Sequence, residues 1–408
     1  MLSIESSSAS STFGRRQLLR MAAGSAALSM NARRTIAATE SRMIYWGTYT
    51  EGGGQFGDGA SKGIYVSRME AQTGRLTEPE LAVECANPSW LAIHPTRHYL
   101  YAVNERMGAN GENRPGEVSA FSIHPKTGKL TEINRVQSHG GQPCHICLDQ
   151  TGKMAVVANW ATGSVASFSI GRGGALGEAA KAYQQEGPRS GAAESGPQTS
   201  HCHSVLITPD NRFLISTNTG LNKVYVYRLD VEKATLAAHY PPFLGLQKPT
   251  NPRHLSLHPN GRWAYVSNEI NPGGCTMLRY DASRGVLEEG PVAASVPESY
   301  TGRVSPAECV VHPSGRFVYE TNRGHNSIAS FQISRADGTL TLAEAFVPGG
   351  ETPRSFTIDP TGQFLIVMMQ RSNSIVPLRI DPHSGKLSPN GETLVLPRPV
   401  CAVFPGLS

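Results

Sequence analysis

The chain has 408 residues, seven cysteines and a formal charge of +5, far more length than one ordinary core requires, so several domains or a repeat architecture is expected. Residues 1–38 hold Arg15, Arg16, Arg20, Arg33 and Arg34 against Glu5, a net +4, which leaves +1 for the remainder. No basic stripe or face is left for a polyanion, and nucleic acid is excluded as an expected partner.

In chain order the first element is a targeting segment. Gly14-Arg15-Arg16-Gln17-Leu18-Leu19-Arg20 resembles the twin-arginine export motif, followed by a weakly apolar stretch from Met21 to Met30 and small residues at Ala37-Ala38. The stretch is too short to span a membrane as a helix. Arg33 and Arg34 are atypical after such a stretch, and a disordered basic tail is the alternative. Residues 1–38 are expected to be a signal read by the twin-arginine export machinery, delivering a folded protein to the periplasm or the medium. Residues 42–408 are expected to be one domain, with no membrane span, acting as a monomer.

From Met43 onward a short pattern recurs seven times: an apolar strand, a turn, a second apolar strand and often an Asn. It opens at Met43-Ile44-Tyr45-Trp46-Gly47 and returns at His94-Pro95…Asn104, Asp149-Gln150-Thr151-Gly152…Asn159 and Pro209-Asp210…Asn218. It continues at His258-Pro259-Asn260-Gly261…Asn268, His312-Pro313-Ser314-Gly315…Asn322 and Asp359-Pro360-Thr361-Gly362…Met369. Equivalent positions are spaced by 47 residues (Pro313 to Pro360) to 59 residues (Gln150 to Pro209), a period that marks a radial or stacked β array. Each period holds a second hairpin, as in Gly63 to Leu76, Val118 to Leu130 and Ile328 to Leu340, with Thr-Gly or Asp-Gly tips. Two hairpins per period give four antiparallel strands. Seven such sheets give an all-β, seven-bladed β-propeller.

The innermost strand of each blade is expected just after a proline or its equivalent, as at Pro88, Pro143, Pro252 and Pro353. The first repeat lacks that strand, and Pro399-Val400-Cys401-Ala402-Val403 supplies it. The C-terminal strand therefore pairs with the N-terminal blade and closes the ring, which protects the sheet edges. The Gly turns then gather at the bottom. The ends of the second strands and the starts of the first share the top, where long loops also lie, and function is expected there.

Ionisable groups collect at that mouth without a repeat-wide reason: His201-Cys202-His203, Arg253-His254, Asn268-Glu269 and Asn322-Arg323-Gly324-His325, joined by Glu308 and Arg354. Arginines bind a carboxylate or phosphate. A Glu or His acts as general base, or holds a water, while Arg or His steadies an oxyanion. That set suits opening or closing a lactone ring. His94, His258 and His312, each in a His-Pro turn, and the repeated Asn residues are read as structural.

No metal and no cofactor are expected. The sequence has no Gly-x-Ser-x-Gly elbow and no P-loop, and Gly52-Gly53-Gly54 lacks the strand-to-helix setting of a dinucleotide site. Cys144-His145-Ile146-Cys147 puts its thiols on opposite strand faces. The odd, scattered cysteines give no disulfide framework.

These residues, together with Gly47-Thr48-Tyr49-Thr50, His201-Cys202-His203-Ser204-Val205, Gly220-Leu221-Asn222-Lys223, Pro252-Arg253-His254-Leu255, Asn322-Arg323-Gly324-His325-Asn326 and Pro353-Arg354-Ser355-Phe356, make the chain from Met43 onward resemble the seven-bladed lactonase family. That family includes the propeller-type 6-phosphogluconolactonases and the fungal carboxy-muconate cyclases. The resemblance implies a catalytic set on His203 (His201 less well), Arg253, Glu269 and Arg323. His201, His254, Glu308, His325 and Arg354 are expected to bind substrate. Asn218 and Asn222 stand where relatives often have Asp. The expected activity is lactone hydrolysis, on a small lactone or carboxylate substrate, and an exported relative would meet an unphosphorylated aldonolactone or another cyclic ester. A lactonising cyclase and a non-catalytic binding propeller are the alternatives.

Overall fold

The computed structural model describes residues 41–51, 60–106, 115–187, 199–248, 250–270 and 272–405. The expected export signal lies outside them. No helix occurs among the described residues. Their strands form seven antiparallel sheets, as the repeat predicts. We number the blades 1 to 7 along the chain.

Blade 1 is composite. Its strands are Pro399–Val403, Ser41–Thr48, Gly63–Glu70 and Glu80–Glu84, in that order from the axis outward. Tyr45 faces Val403, Trp46 faces Ala402 and Gly47 faces Cys401 across the closing pair. The innermost strands of blades 2 to 7 start at Pro88, Pro143, Cys202, Pro252, Ser305 and Pro353. Each lies against the next, and the strand at Pro399 lies against both the last and the first, so the ring is closed. In blade 7 the outer strand is split into Leu387–Pro389 and Leu394–Val395. The split falls opposite Pro377, which has no N–H to continue the ladder.

The core sits between blades rather than at the axis. Seven apolar clusters fill the seven interfaces, one cluster to each. Both faces of a blade are therefore buried, which explains second strands such as Met154–Asn159 and Phe364–Met369 with every residue buried. Polar latches reinforce the interfaces. Tyr45, Tyr101, Tyr265 and Tyr319 donate to the carbonyls of Gly128, Gly174, Gly338 and Gly385 at 2.8–3.0 Å, each in the hairpin of the following blade. The His-Pro histidines behave as expected: Nε2 of His94, His258 and His312 donates to Gly152, Gly315 and Gly362 of the next blade at 2.8–3.0 Å.

Every innermost strand carries a register shift just after its first residue, as between Pro252 and Leu255 or Pro306 and Cys309. Such a bulge turns the local side chains. Ahead of it, Asn87, Gln142, Asn251, Thr352 and Arg398 adopt left-handed backbone, with φ from 40° to 60°. Their carbonyls accept from the N–H groups of Glu105, Trp160, Glu269, Gln370 and Tyr49 at 2.9–3.1 Å. The residue following each second strand is thereby pinned at the channel top.

Closure leaves no room at Gly47. A Cβ there would lie 2.3 Å from the Pro88 carbonyl oxygen and 2.5 Å from Cys401 Sγ. Gly47→Ala is expected to destabilise the protein by about 1–3 kcal/mol through overpacking of the closing strand. A denaturant or thermal midpoint equal to wild type would show that the seam tolerates the methyl.

Candidate active site

The bulged strand starts deliver two tiers of side chains to the top of the axis. Ser89, Cys144, His203, Arg253, Arg354 and Val400 meet around a cavity also lined by Trp90 and His254. Its volume is about 10 Å³, space for no more than one water. A ligand larger than a water would have to lie above this level, not in the axis itself.

The buried tier holds a His–Glu dyad. His254 Nδ1 and Glu308 Oε1 are 3.0 Å apart, and Glu308 also accepts from the Cys309 N–H at 3.1 Å and from Ser355 Oγ at 2.9 Å. Burial pushes Glu308 up to about 7, against the opposing pull of Arg253. Burial, with the nearby Arg253 and Arg354 charges, holds His254 well below the usual imidazole range. Both groups are thus driven toward their neutral forms. The His254 ring edge meets Trp90 at 4.9 Å and His203 at 5.3 Å, while His145 stacks on Trp90 at 4.4 Å. Burial likewise keeps His203 neutral.

One level higher the groups are charged. Glu269, whose backbone N–H donates to the Asn251 carbonyl, accepts at its carboxylate from Arg323 Nη2 and lies 3.6 Å from Arg253 Nε. Arg323 is braced in turn by Nε to the Ser305 carbonyl at 3.0 Å and Nη2 to Ser305 Oγ at 2.9 Å. Burial would raise the Glu269 pKa, but Arg323 and Arg253 outweigh it and hold the carboxyl below its ordinary value. Arg253 is only 2% exposed and gives Nη1 to the Ala307 carbonyl at 2.8 Å. Burial draws its pKa down to about 10, so it stays charged at neutral pH. The Glu269 side chain keeps 23% of its surface open.

Arg354 crosses from blade 7 to blade 1. Nη2 donates to Tyr49 Oη at 2.6 Å, and Tyr49 Oη donates to Glu105 Oε2 at 2.9 Å. Two grooves flank Glu269 and Arg323. One, about 350 Å³, is lined by Trp160, His201, Thr219, Glu269, Arg303 and Ser305, among others. The second, about 230 Å³, carries Arg303, Arg323, Arg354 and Arg371 with no carboxylate in its wall.

The expected residues thus divide by depth. Glu269, Arg323, Arg354 and His201 reach the grooves, His201 stacked on Trp160 at 4.1 Å with Nδ1 to the Trp160 carbonyl at 3.1 Å. Arg253, His203, His254 and Glu308 lie beneath them. His325 lines neither groove: its Nδ1 pairs with Ser327 Oγ at 2.7 Å and its ring meets Tyr300. Cys144 lines the central cavity, whereas Cys147 packs between blades 3 and 4, so the two thiols face different surroundings. Arg303 and Arg371 were not singled out by the sequence reading. Arg371 follows directly on Gln370, a mouth position the repeat marks, and that adjacency was the available signal. Arg303 sits on a long top loop outside any repeat register.

Comparisons with known proteins agree with this architecture. A curated 6-phosphogluconolactonase of Bacillus subtilis (strain 168) is 30% identical over 366 residues, spanning 88% of this chain and 97% of its own length. Another, from Pectobacterium carotovorum, is 30% identical over 81% of this chain and 91% of its own. The solved structure of the Pseudomonas aeruginosa periplasmic gluconolactonase is 28% identical, covering 90% of this chain and 99% of that one, with a TM-score of 0.81. The family described as lactonase, 7-bladed beta-propeller, matches residues 43–404, and the chain belongs to it.

Proposed function

We propose that the protein hydrolyses a sugar lactone at the two grooves, with Glu269 as general base. The observation that carries this reading is a carboxylate open to the groove yet kept ionised by Arg323 beside it and Arg253 below it. Glu269 takes a proton from water as its oxygen attacks the lactone carbonyl. The tetrahedral oxyanion is met by Arg323, whose Nη1 is not used by its bonds to Glu269, Ser305 and Pro306. Collapse breaks the ring C–O bond, and the leaving oxygen recovers the proton from Glu269. The product is the open hydroxy acid.

Arg253 touches no substrate in this scheme. It positions Glu269 and tunes its charge from below. His203, enclosed around the small cavity, is the weaker candidate for the base because the grooves do not reach it. Arg303, Arg354 and Arg371 would hold an anionic substituent of the substrate, phosphate or carboxylate. The names of the Bacillus and Pectobacterium relatives favour a phosphorylated lactone. The Pseudomonas neighbour, named as periplasmic, favours an exported protein, as does the twin-arginine-like leader.

Glu269→Gln is expected to lower kcat for lactone hydrolysis by about 10²- to 10⁴-fold while leaving the thermal midpoint near wild type; retained turnover would remove Glu269 as the base. Because activity needs the Glu269 carboxylate, it falls as pH drops through that group's pKa. The acid limb of kcat/KM is therefore expected below pH 4.5, whereas a limb near 7 would reassign the role to Glu308. Arg371→Ala should raise KM for a phosphorylated lactone by about tenfold with little change for the unphosphorylated analogue; equal effects on both would place the anionic end elsewhere. For export, Arg15→Lys with Arg16→Lys should hold the full-length precursor in the cytoplasm, and unchanged fractionation would refute the route.

A further inference from the structure

A second cluster, unrelated to the grooves, lies in the apolar interface between blades 5 and 6. Cys275 opens the third strand of blade 5, Cys309 is in the innermost strand of blade 6, and Glu320 faces Cys309 across the next strand. Their exposures are 0%, 2% and 0%. The ligand atoms of the three residues all lie within 4.8 Å of one another, with the two sulfurs 3.7 Å apart. Tyr265, Met277, Val318, Ala329 and Phe331 surround them. Neither carboxylate oxygen of Glu320 has a hydrogen-bond partner among the described residues. The Ser295 hydroxyl, close enough to act on the Glu320 carboxyl, gives its proton to Asn322 Oδ1 at 2.7 Å.

A buried carboxyl with both oxygens unmatched is expensive, and native proteins do not keep such groups without a reason. The fold supplies none. The register pair held by Cys309 and Glu320 is Leu91–Ala102, Ile146–Val157, Leu255–Val266 and Phe356–Val367 in blades 2, 3, 5 and 7. In blades 4 and 1 it is Val205–Ser216 and Ala402–Trp46. No other blade places an acid or a thiol there. The position of Cys275 is likewise Val118, Val165, Val224, Ile328 or Ile375 in blades 2, 3, 4, 6 and 7. Ser216 apart, these positions are apolar, and the three departures at Cys275, Cys309 and Glu320 meet at one point.

We propose that Cys275, Cys309 and Glu320 form a buried structural site for a thiophilic divalent cation of the zinc class, clasping blade 5 to blade 6. Two thiolates bound to zinc at about 2.3 Å with a tetrahedral angle stand about 3.8 Å apart, close to the 3.7 Å observed. Glu320 supplies a carboxylate oxygen as the third protein ligand, which leaves the fourth tetrahedral position to a water taken in with the ion. The thiols enter as thiolates and their protons pass to solvent. A disulfide would need the sulfurs at about 2.05 Å and would leave the carboxylate as unsatisfied as before. The site is also well placed to stiffen the mouth: Cys309 adjoins Glu308, and Ala307, two residues back, accepts from Arg253.

The test uses the full chain, purified reduced, loaded with zinc and challenged with a chromophoric chelator. One zinc per chain is expected by elemental analysis, with a rise in thermal midpoint. Cobalt substitution should give thiolate-to-cobalt charge-transfer absorption. Cys275→Val, which restores the residue other blades carry, should fold and lose both signals, and Glu320→Gln should weaken zinc binding at least about tenfold. A reduced chain that retains no zinc, a cobalt spectrum without the thiolate band, or zinc uptake unchanged in Cys275→Val would each overturn the proposal.

Discussion

The structure depends on blades that cannot be satisfied alone. A four-stranded sheet that is apolar on both faces must be covered twice, and here each cover is the next blade. The requirement passes from blade to blade until it returns to the first, so only a complete circle leaves no face bare. The tyrosine and histidine latches make the same demand in polar form, since each donor finds its carbonyl one blade ahead. Individually such a bond contributes about 1 kcal/mol. Repeated around the ring, they fix the angle at which blades meet as well as how tightly.

That rigid frame explains how so small a set of residues becomes specific. Left-handed turns and bulges recur at the head of the innermost strands and aim each strand's first side chains at the axis. The backbone offers seven similar sockets. What distinguishes them is the side chain alone: Arg253, His203 and Arg354 in some blades, Ser89 and Val400 in others. Depth then sorts the chemistry. His254 and Glu308 below the opening are driven toward neutrality by burial, whereas Glu269 at the opening remains charged because arginines flank it. The contrast between neighbouring carboxyls is what favours Glu269 over Glu308 as the proposed base.

The architecture was legible because it is written seven times. Turn residues, strand alternation and the displaced strand at Pro399 all point to one ring, and the closing pair of Tyr45 with Val403 is where they place it. The site was legible only in part. Comparing copies identifies Arg253, Glu269 and Arg323 as exceptions, but no sequence period reports that Arg253 ends up sealed beneath the other two. Nor does it report that the axis narrows to the size of one water. His325 looked equivalent to its neighbours in sequence, yet Tyr300 and Ser327 engage it away from the grooves. Arg303 lies on a loop with no counterpart to compare. Cys275, Cys309 and Glu320 are far apart in sequence, and only strand register reveals that they converge.

The composite first blade has a consequence for how the chain reaches this form. Tyr45 and its partner Val403 are 358 residues apart by their numbers, so the first blade stays incomplete until the strand at Pro399–Val403 has been made. Until then the inner edge of the Ser41–Thr48 strand lacks its partner. Contacts this distant are slow to form because their loop entropy must be met first. The seam is thus a timing device: the ring cannot close before the strand at Pro399–Val403 is available to the first blade.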